Sequence, residues 1–361
     1  MIHSKKNCLM MAGVLMAASL TSCSQEKAAE NSAATEETMK VSLVRDDASK
    51  KVEVLVDGEL FTAYIYPDTI AKPVLYPIQS AAGNSLTRGY PLDPRPGERV
   101  DHPHHIGHWF NFGDVNGLDF WNNSSAIPVE KRDKYGSIVH TGIQSLGESG
   151  EEASLAVTAD WNAPDGKTLL KESTQFTFKA DSGKRVIERI TTLTAQDQEV
   201  KFTDNKEGMF AIRVARELEH PSDKPEIFTD ASGIATAVPT LNNEGVVGKY
   251  RSSEGLEGDA VWGTRGNWVN LTGAVKGEQV ALVIVDHPNN PGYPTYWHAR
   301  GYGLFAANTL GQKALSDGKD ELNLSLKPGE SVTFKYEILV YSGTQPDDAT
   351  ITAEAAAFGS R

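Results

Sequence analysis

Residues 52 to 66 read Val52-Glu53-Val54-Leu55-Val56-Asp57-Gly58-Glu59-Leu60-Phe61-Thr62-Ala63-Tyr64-Ile65-Tyr66. Valine occupies every second position before the Asp57-Gly58 pair, and Leu, Thr, Tyr and Tyr occupy every second position from residue 60 onward. Alternate side chains of a β-strand share one face. An Asp-Gly pair between two alternating runs is a strong signal for a two-residue hairpin turn. The stretch therefore predicts a β-hairpin.

Short runs of the same kind recur through the chain and are separated by turns rich in Gly, Asp, Asn and Pro. The further predicted strands are 137–144, 153–160, 172–180, 185–195, 200–204, 279–286, 321–326 and 331–341. Before the C-terminal tail no stretch keeps a helical period, and the Ala-rich residues 347–358 are predicted to form one helix. Many strands with turns between them predict an all-β fold, a large antiparallel β-sandwich.

The segment 67–136 interrupts this pattern, because eight of the 17 prolines fall within it. A long irregular segment in a compact domain is usually functional or disordered. Large aromatic residues argue against disorder here; they are Trp109, Phe110, Phe112, Phe120 and Trp121. We therefore expect long ordered loops over one face of the sandwich, with a functional site beneath them.

The N-terminus has the features of a targeting signal. Two lysines at positions 5 and 6 precede an apolar run that ends in Leu20-Thr21-Ser22-Cys23. This order is typical of a secretory signal, and the run is too short to span a bilayer comfortably. Its last four residues resemble a bacterial lipobox, in which the chain is cut before the cysteine and the cysteine is acylated.

These features predict the domain organisation. We expect a lipoprotein signal at residues 1–22, lipidation of Cys23, a disordered tether at 23–39, a single β-sandwich domain at 40–345 and a tail at 346–361. The protein would then be anchored to the bacterial cell envelope, in the periplasm or at the outer membrane. The alternative is ordinary secretion with Cys23 left free.

Composition narrows the classes of partner. The formal net charge is −13, and an acidic surface argues against nucleic acid or anionic membranes as partners. The lipid is therefore the only membrane contact that we expect. Cys8 and Cys23 are the two cysteines and fall in the signal and the anchor. The mature domain would have neither a cysteine nucleophile nor a cysteine-ligated metal.

Six of the nine histidines lie in two short stretches. The first is Asp101-His102-Pro103-His104-His105-Ile106-Gly107-His108-Trp109-Phe110, and the second contains Asp286-His287-Pro288 and Pro294-Thr295-Tyr296-Trp297-His298-Ala299-Arg300. Histidine titrates near neutral pH and binds metals, so such clustering indicates proton transfer or cation binding. In an extended segment His102 and His104 project from one face. The alternative is that these histidines hydrogen-bond to carbonyls and pack against Trp109.

Several stretches together form a more specific pattern. They are Lys72-Pro73-Val74-Leu75-Tyr76-Pro77, Thr87-Arg88-Gly89-Tyr90-Pro91, Asp101-His102-Pro103-His104-His105, Gly113-Asp114-Val115-Asn116-Gly117 with Asp119-Phe120-Trp121, Glu207-Gly208-Met209-Phe210, Asp286-His287-Pro288, and 294–300 through Leu304-Phe305-Ala306-Ala307-Asn308. They resemble the bacterial PmoA-like proteins over most of residues 50–343.

The resemblance implies a domain of unknown function that is common in lipoproteins of polysaccharide-degrading bacteria. The family name refers to a subunit of a methane monooxygenase that crosses the membrane several times. We regard that name as a misnomer here, because no run after the signal is long enough to span. Some relatives carry a histidine where Phe112 stands, and its absence here weakens the argument for a metal site in this chain.

The first hypothesis for function is a carbohydrate-active enzyme on a galactose-mutarotase-like supersandwich. It would act on a sugar or glycoside as an epimerase or mutarotase-like isomerase, a hydrolase or a lyase. The candidate acids are His104, His105 and His298, and the candidate bases are Glu207 and Asp286. The candidate substrate ligands are Arg88, Trp109, Asp119, Trp121, Trp297 and Arg300. For the tryptophans, filling the core is the alternative role.

Two other hypotheses remain open. One is a metal-dependent hydrolase or lyase that holds a divalent metal with His102, His104 and His298. The other is a non-catalytic carbohydrate-binding lipoprotein. A binder has little use for four histidines within seven residues, so their density favours an enzyme.

Overall fold

The computed structural model of this chain describes residues 39–240 and 242–361, all of which belong to a single unit, Glu36–Arg361. The predicted signal, Cys23 and nearly all of the predicted tether lie outside the described residues. None of the described helices is long and apolar enough to cross a membrane.

The described residues form twenty strands and two α-helices. The strands are β1 (Val41–Asp46), β2 (Lys51–Val56), β3 (Glu59–Ile65), β4 (Val74–Ile78), β5 (His108–Phe112), β6 (Ser137–Leu146), β7 (Glu152–Asn162), β8 (Thr168–Ala180), β9 (Lys184–Ala195), β10 (Val200–Phe202), β11 (Gly208–Arg213), β12 (Glu226–Thr229), β13 (Ala235–Val238), β14 (Lys249–Ser252), β15 (Trp268–Val275), β16 (Glu278–Asp286), β17 (Tyr296–Arg300), β18 (Leu304–Asn308), β19 (Leu324–Leu326) and β20 (Ser331–Ser342). The helices are α1 (Gln312–Leu315) and α2 (Asp348–Gly359).

Two eight-stranded antiparallel sheets contain most of these strands. We call them the first sheet, in the order β1-β2-β3-β4-β5-β11-β18-β17, and the second sheet, in the order β14-β15-β16-β20-β9-β8-β7-β6. The pairs β10-β19 and β12-β13 form two small ribbons. The predicted all-β, antiparallel fold is therefore confirmed.

The predicted hairpin is β2 and β3. Asp57 and Gly58 form its turn with φ angles of 48° and 88°, and Val56 pairs with Glu59 across it. Both turn residues need φ above zero, which explains the Asp-Gly pair. The valines of β2 are buried in alternation, as predicted. In β3, however, residues 61–64 are all buried, because that strand is covered on both faces.

Aromatic side chains join the two sheets into a sandwich. Phe110 of the first sheet lies 5.6 Å from Phe334 of the second, measured between ring centroids. Phe210 stacks on Tyr336 at 4.5 Å in the same way. Side chains that point inward from both sheets form one continuous apolar core. Burial of this apolar area is the main force that stabilises a sandwich.

A polar network is enclosed in this core. Glu172 of β8 accepts hydrogen bonds from Arg189 Nη2 at 2.9 Å, Trp161 Nε1 at 2.8 Å and Thr174 Oγ1 at 2.6 Å. Arg189 also reaches across to the first sheet, where its Nη1 lies 3.4 Å from His108 Nε2. A buried charge is tolerated only where it is paired and hydrogen-bonded.

Long ordered loops cover the outer face of the first sheet. Residues 79–107 connect β4 to β5, and residues 113–136 connect β5 to β6. Beneath them Val74, Ile106 and Trp121 pack with Trp109 and Ala211 in a second apolar cluster. The prediction of ordered loops over one face is confirmed, and these apolar contacts are the physical reason for their order.

The C-terminal tail covers the opposite side of the molecule. Helix α2 begins after Asp347, whose carboxylate accepts a hydrogen bond from the Thr350 amide at 2.8 Å. Its buried side chains Ile351 and Phe358 pack on the outward residues of the second sheet, among them Trp268. Helix formation in this tail was predicted, and the structure adds that the helix is docked on the sandwich.

We predict that Glu172→Gln lowers the free energy of unfolding by about 3 kcal/mol. The amide would place an NH2 group among three donors and leave the Arg189 charge unbalanced in the core. Chemical denaturation followed by circular dichroism measures this. The control is Glu152→Gln, whose carboxylate is exposed and pairs with Lys179 at 3.3 Å. That change should cost less than about 1 kcal/mol, and equal losses in both variants would contradict the prediction.

Candidate functional site

The candidate site begins with the register of the first sheet. On its outer face Trp109 of β5 pairs with Ala211 of β11, Ala211 pairs with Ala306 of β18, and Ala306 pairs with His298 of β17. The two alanines leave space on the sheet between the large side chains at either end of the row. The loop that contains residues 101–107 lies over this face, so the two histidine stretches meet in one region.

Asp101 is the centre of this region. Its Oδ1 accepts hydrogen bonds from Arg88 Nη1 and from Arg213 Nη2, the latter at 2.7 Å. Both guanidinium groups are buried. Burial alone would raise the pKa of Asp101. The hydrogen bond from His102 and the charges of Arg213 and Arg88 outweigh it and hold that pKa well below its usual value. Asp101 is therefore ionised at neutral pH.

His102 is oriented by the other oxygen of the same carboxylate. Its Nδ1 lies 2.8 Å from Asp101 Oδ2. Because a carboxylate only accepts, Nδ1 carries the proton and Nε2 carries a lone pair in the neutral ring. The side chain is 42% exposed. The Asp101–His102 dyad thus presents a basic, accessible nitrogen above the first sheet.

The local backbone explains this orientation and corrects one expectation. The segment 101–105 is a turn, because the His105 amide donates to the His102 carbonyl at 2.9 Å and His102 has a φ of 42°. The extended segment expected here, with His102 and His104 on one face, is wrong. The His102 ring instead lies parallel to the rings of His105 and Tyr302, with centroid distances of 4.8 Å and 5.3 Å.

His104 and His105 are buried beneath the dyad. Burial, reinforced by nearby positive charge, lowers the pKa of His104 to about 2 and lowers that of His105 well below its usual value. Arg213 Nη1 donates to His105 Nδ1 at 3.1 Å, so the proton of His105 is on Nε2. Both rings are neutral at physiological pH. The structure places these two predicted acids under the site, where they support His102.

Lys72 is a member of this region that the sequence did not single out. It precedes β4, is buried, donates from Nζ to the His104 carbonyl at 2.7 Å and lies 5.5 Å from the centroid of the Trp109 ring. Burial lowers the pKa of Lys72 to about 7, although the charge of Asp119 opposes this. Its position just before an apolar strand was the only signal in the sequence.

His298 approaches from β17. Its Nδ1–H donates to the Lys206 carbonyl at 2.9 Å, which leaves the Nε2 lone pair free for another partner. Burial lowers the pKa of His298 to about 3, and the charge of His102 is among the further causes. His298 is therefore a neutral base close to the dyad.

Glu207 lies on the same side of the sheet, next to Lys206, with which it forms an ion pair. Burial is the main cause of the raised pKa values of Asp119 and Tyr302, and the charge of Glu207 contributes to both. Tyr302 in turn lies against His102. The structure thus brings His102, His104 and His105 of the first stretch into one region with His298 of the second, and Glu207 adjoins the residue whose carbonyl binds His298. His108 lies in the core and His287 lies near the C-terminus.

Other predicted site residues have structural partners. Asp119 accepts from the amides of Trp121 and Asn122 at 2.9 Å each and orders its own loop. Arg88 donates to the carbonyls of residues 99, 101, 102 and 105 and braces the histidine turn. Trp109 and Trp121 are buried under the loops, and Trp297 lies in the core between the sheets.

Asp286 lies elsewhere, at the end of β16 in the second sheet. Its carboxylate accepts from Asn290 Nδ2 at 2.7 Å and from the Thr295 amide at 2.8 Å. Burial raises the pKa of Asp286 to about 7. These bonds close the loop 287–295, and the neighbouring His287 contacts the C-terminal Arg361 carbonyl at 3.2 Å. The structure does not bring Asp286 into the site.

The geometry also indicates whether the candidate side chains are arranged to hold a metal ion. In residues 39–240 and 242–361, no group of three or more His, Cys, Asp or Glu side chains is arranged to hold a metal ion. Within the predicted set, the rings of His102 and His104 lie edge to face with centroids 5.6 Å apart. The divalent site of His102, His104 and His298 stays a prediction that these side-chain positions do not favour.

A cleft of about 560 Å³ reaches Tyr302, the ring that lies parallel to His102, although neither Asp101 nor His102 lines it. Tyr302 lines it, and so do Arg300 and Trp262. Arg300 is exposed, and its guanidinium lies 5.5 Å from the Trp262 ring centroid and 5.8 Å from that of Tyr302. Of the predicted substrate ligands, Arg300 is the one that faces this open space.

Solved structures similar to this chain contain sugar-processing domains. The galactosidase domain of alpha-galactosidase-sucrose kinase aligns at 9% identity over 83% of this chain, with a TM-score of 0.39, and the chain spans 41% of that domain's length. A galactose mutarotase-like protein from Lactobacillus casei aligns at 10% identity over 83% of this chain and 100% of its own, with a TM-score of 0.31.

A Glycoside Hydrolase Family 97 enzyme from Pseudoalteromonas sp. strain K8 aligns at 10% identity over 87% of this chain and 35% of its own, with a TM-score of 0.30. With scores at this level, these likenesses do not assign a function.

Sequence comparison gives the family. No curated protein matches this chain significantly. The resemblance to PmoA-like proteins is not tested by these comparisons and stays a prediction. A family model does match residues 51–356, which is most of the chain. This protein therefore belongs to DUF6807, a family of unknown function.

Proposed function

We propose that this protein is a carbohydrate-active enzyme in which His102 transfers a proton and Asp101 orients it. The observation that carries the proposal is the dyad, with Nδ1 of His102 at 2.8 Å from Asp101 Oδ2 and the ring 42% exposed. A carboxylate behind a histidine fixes the tautomer and stabilises the imidazolium that forms when Nε2 takes a proton.

Two buried charged side chains hold this dyad in place. Arg88 and Arg213 are both buried and both donate to Asp101. Taking guanidinium groups out of water is unfavourable unless they are paired and hydrogen-bonded, and here both are paired with the carboxylate that orients His102. A protein that only binds sugar gains little from holding Asp101 ionised. An enzyme gains a histidine with a defined protonation pattern.

Acid–base chemistry on a sugar needs a second group. We assign this role to Glu207, which stands just before β11 and next to Lys206, whose carbonyl accepts from His298 Nδ1 at 2.9 Å. In the proposed reaction one of these groups removes a proton from a sugar hydroxyl while the other delivers a proton to the oxygen that gains electron density. His298 offers a further neutral nitrogen beside them.

The substrate class follows from the surface around the dyad. Trp262 and Tyr302 line the adjacent cleft, which also carries polar and charged side chains. Flat aromatic faces with hydrogen-bonding groups at their edges suit the apolar face and the hydroxyls of a sugar ring. A sugar or glycoside is therefore the substrate that this arrangement favours.

We also propose that the enzyme is anchored to the bacterial cell envelope through a lipid on Cys23. The support is the sequence Leu20-Thr21-Ser22-Cys23 at the end of the apolar run. Such an anchor would hold the sandwich at a membrane surface while its site stays open to sugars outside the cytoplasm.

We predict that His102→Gln lowers kcat/KM by 100-fold or more, in the range that general acid–base residues contribute. Asp101→Asn should lower it by about 10-fold to 100-fold, because the histidine loses its orienting carboxylate. The assay is a panel of free sugars and glycosides followed by NMR for anomer exchange, epimerisation and bond cleavage.

His140→Gln is the matched control for these variants, since that half-buried histidine of β6 stacks on Tyr66, away from the first histidine stretch. Thermal unfolding establishes that all variants are folded. Wild-type turnover in folded His102→Gln would refute the role of the dyad. Metal analysis of the same samples tests the alternative: a stoichiometric metal that is lost with His104→Ala would replace the proposed chemistry with metal-assisted chemistry.

We predict that the full chain expressed in a bacterium incorporates a clickable palmitate analogue and that Cys23→Ser abolishes the label. Cys8→Ser, which changes a cysteine inside the predicted signal, is the control and should leave the label in place. Fractionation should move the Cys23→Ser protein away from its native membrane. Labelling that persists in Cys23→Ser would show that the anchor is elsewhere.

A further inference from the structure

The cleft that contains Tyr302 and Arg300 adjoins His102 through the Tyr302 ring, which they share. Its lining comes from the end of β17, the segment 220–226 and the turn around Trp262. Tyr302 belongs to both places, because it lines the cleft and its ring also lies parallel to His102 at 5.3 Å. A ligand in the cleft would therefore lie next to the group that the proposed reaction uses.

Arg300 is a cation of this cleft that aromatic rings hold in place. Its guanidinium lies over the rings of Trp262 and Tyr302 at 5.5 Å and 5.8 Å, and it forms no ion pair with a carboxylate of the described residues. The aromatic contacts limit the freedom of the side chain while the residue stays exposed. A guanidinium that is already oriented loses less entropy when it binds a planar partner.

Asp223 and Lys224 also line the cleft, and other charged groups of the lining are paired within the protein. Arg99 pairs with Glu219 at 2.7 Å and with Glu226 at 2.9 Å. Asp259 accepts from His220 Nδ1 at 3.0 Å. Arg300 is thus a cation of the cleft that aromatic contacts orient and that has no acceptor among the residues the structure describes. Its planar donors match a carboxylate.

We propose that this cleft binds a sugar residue that carries a carboxylate, a uronate unit of a longer chain. Arg300 would hold the carboxylate through two parallel N–H bonds, and Trp262 or Tyr302 would contact the sugar ring. This inference rests on the proposed function, because it places the reacting sugar unit of the same saccharide at His102. The overall charge of −13 opposes a polyanion at long range. Added salt screens this repulsion, while it also weakens the local pair between Arg300 and the carboxylate.

Titration calorimetry with the purified protein tests the proposal. The probes are the trimers of galacturonate, glucuronate and mannuronate, each beside its methyl-esterified, uncharged form. We expect at least one charged trimer to bind tenfold or more tightly than its ester. Arg300→Gln should remove that preference, and Arg300→Lys should retain part of it, because a lysine keeps the charge but not the planar pair of donors.

Arg45→Gln is the matched control, since Arg45 lies on β1, at the opposite edge of the first sheet from β17. It should leave the preference unchanged. The proposal is overturned if no charged trimer binds, if the ester binds equally well, or if the preference survives Arg300→Gln.

Binding to His102→Gln separates this proposal from the proposed function. Uronate affinity that persists within about threefold in that variant, together with lost turnover, supports both. Persistent affinity with unchanged turnover keeps the uronate site and refutes the dyad. Turnover of neutral sugars that depends on His102, without any affinity for uronates, refutes the uronate site alone.

Discussion

The candidate site depends on one carboxylate held by two buried arginines. Arg88 and Arg213 bind the same oxygen of Asp101, and its second oxygen binds His102. Arg213 belongs to a strand of the first sheet, and Arg88 donates its remaining hydrogen bonds to carbonyls of the turn that carries the histidines. This interaction therefore fixes the position of the turn on the sheet and the ionisation of the dyad together.

Apolar burial in the core of the sandwich offsets the unfavourable burial of these charged groups. The core between the sheets is continuous and rich in aromatic side chains. Within it, the Glu172 carboxylate accepts three hydrogen bonds, one of them from Arg189. The outer face of the first sheet is then free to carry polar groups under ordered loops. Small side chains at Ala211 and Ala306 let those loops approach the sheet closely. The side chains of the main core and those of the candidate site thus lie on opposite faces of the first sheet.

The sequence predicted the strands well and the site in part. Alternation and the Asp57-Gly58 turn are local properties, and the first hairpin and six strands of the second sheet follow them, whereas β14 and β15 were not predicted. The cluster of histidines also marked the correct loop. The role of His102 was harder to assign, because its orientation depends on a turn and on Arg213, which lies 111 positions away from it in the chain. Lys72 was not named as a candidate site residue, since a lysine becomes unusual only when it is buried.

The sequence by itself determined the all-β class, the turn types and the acidic, cysteine-poor composition of the domain, because these depend on neighbouring residues or on counts. Only the tertiary structure decided which histidine is accessible, that Asp286 lies in the other sheet, and that Arg300 lies beside Trp262 in a cleft. Burial, pairing and the pKa of a side chain depend on groups that are remote in the chain. They are set by how the two sheets and their loops pack.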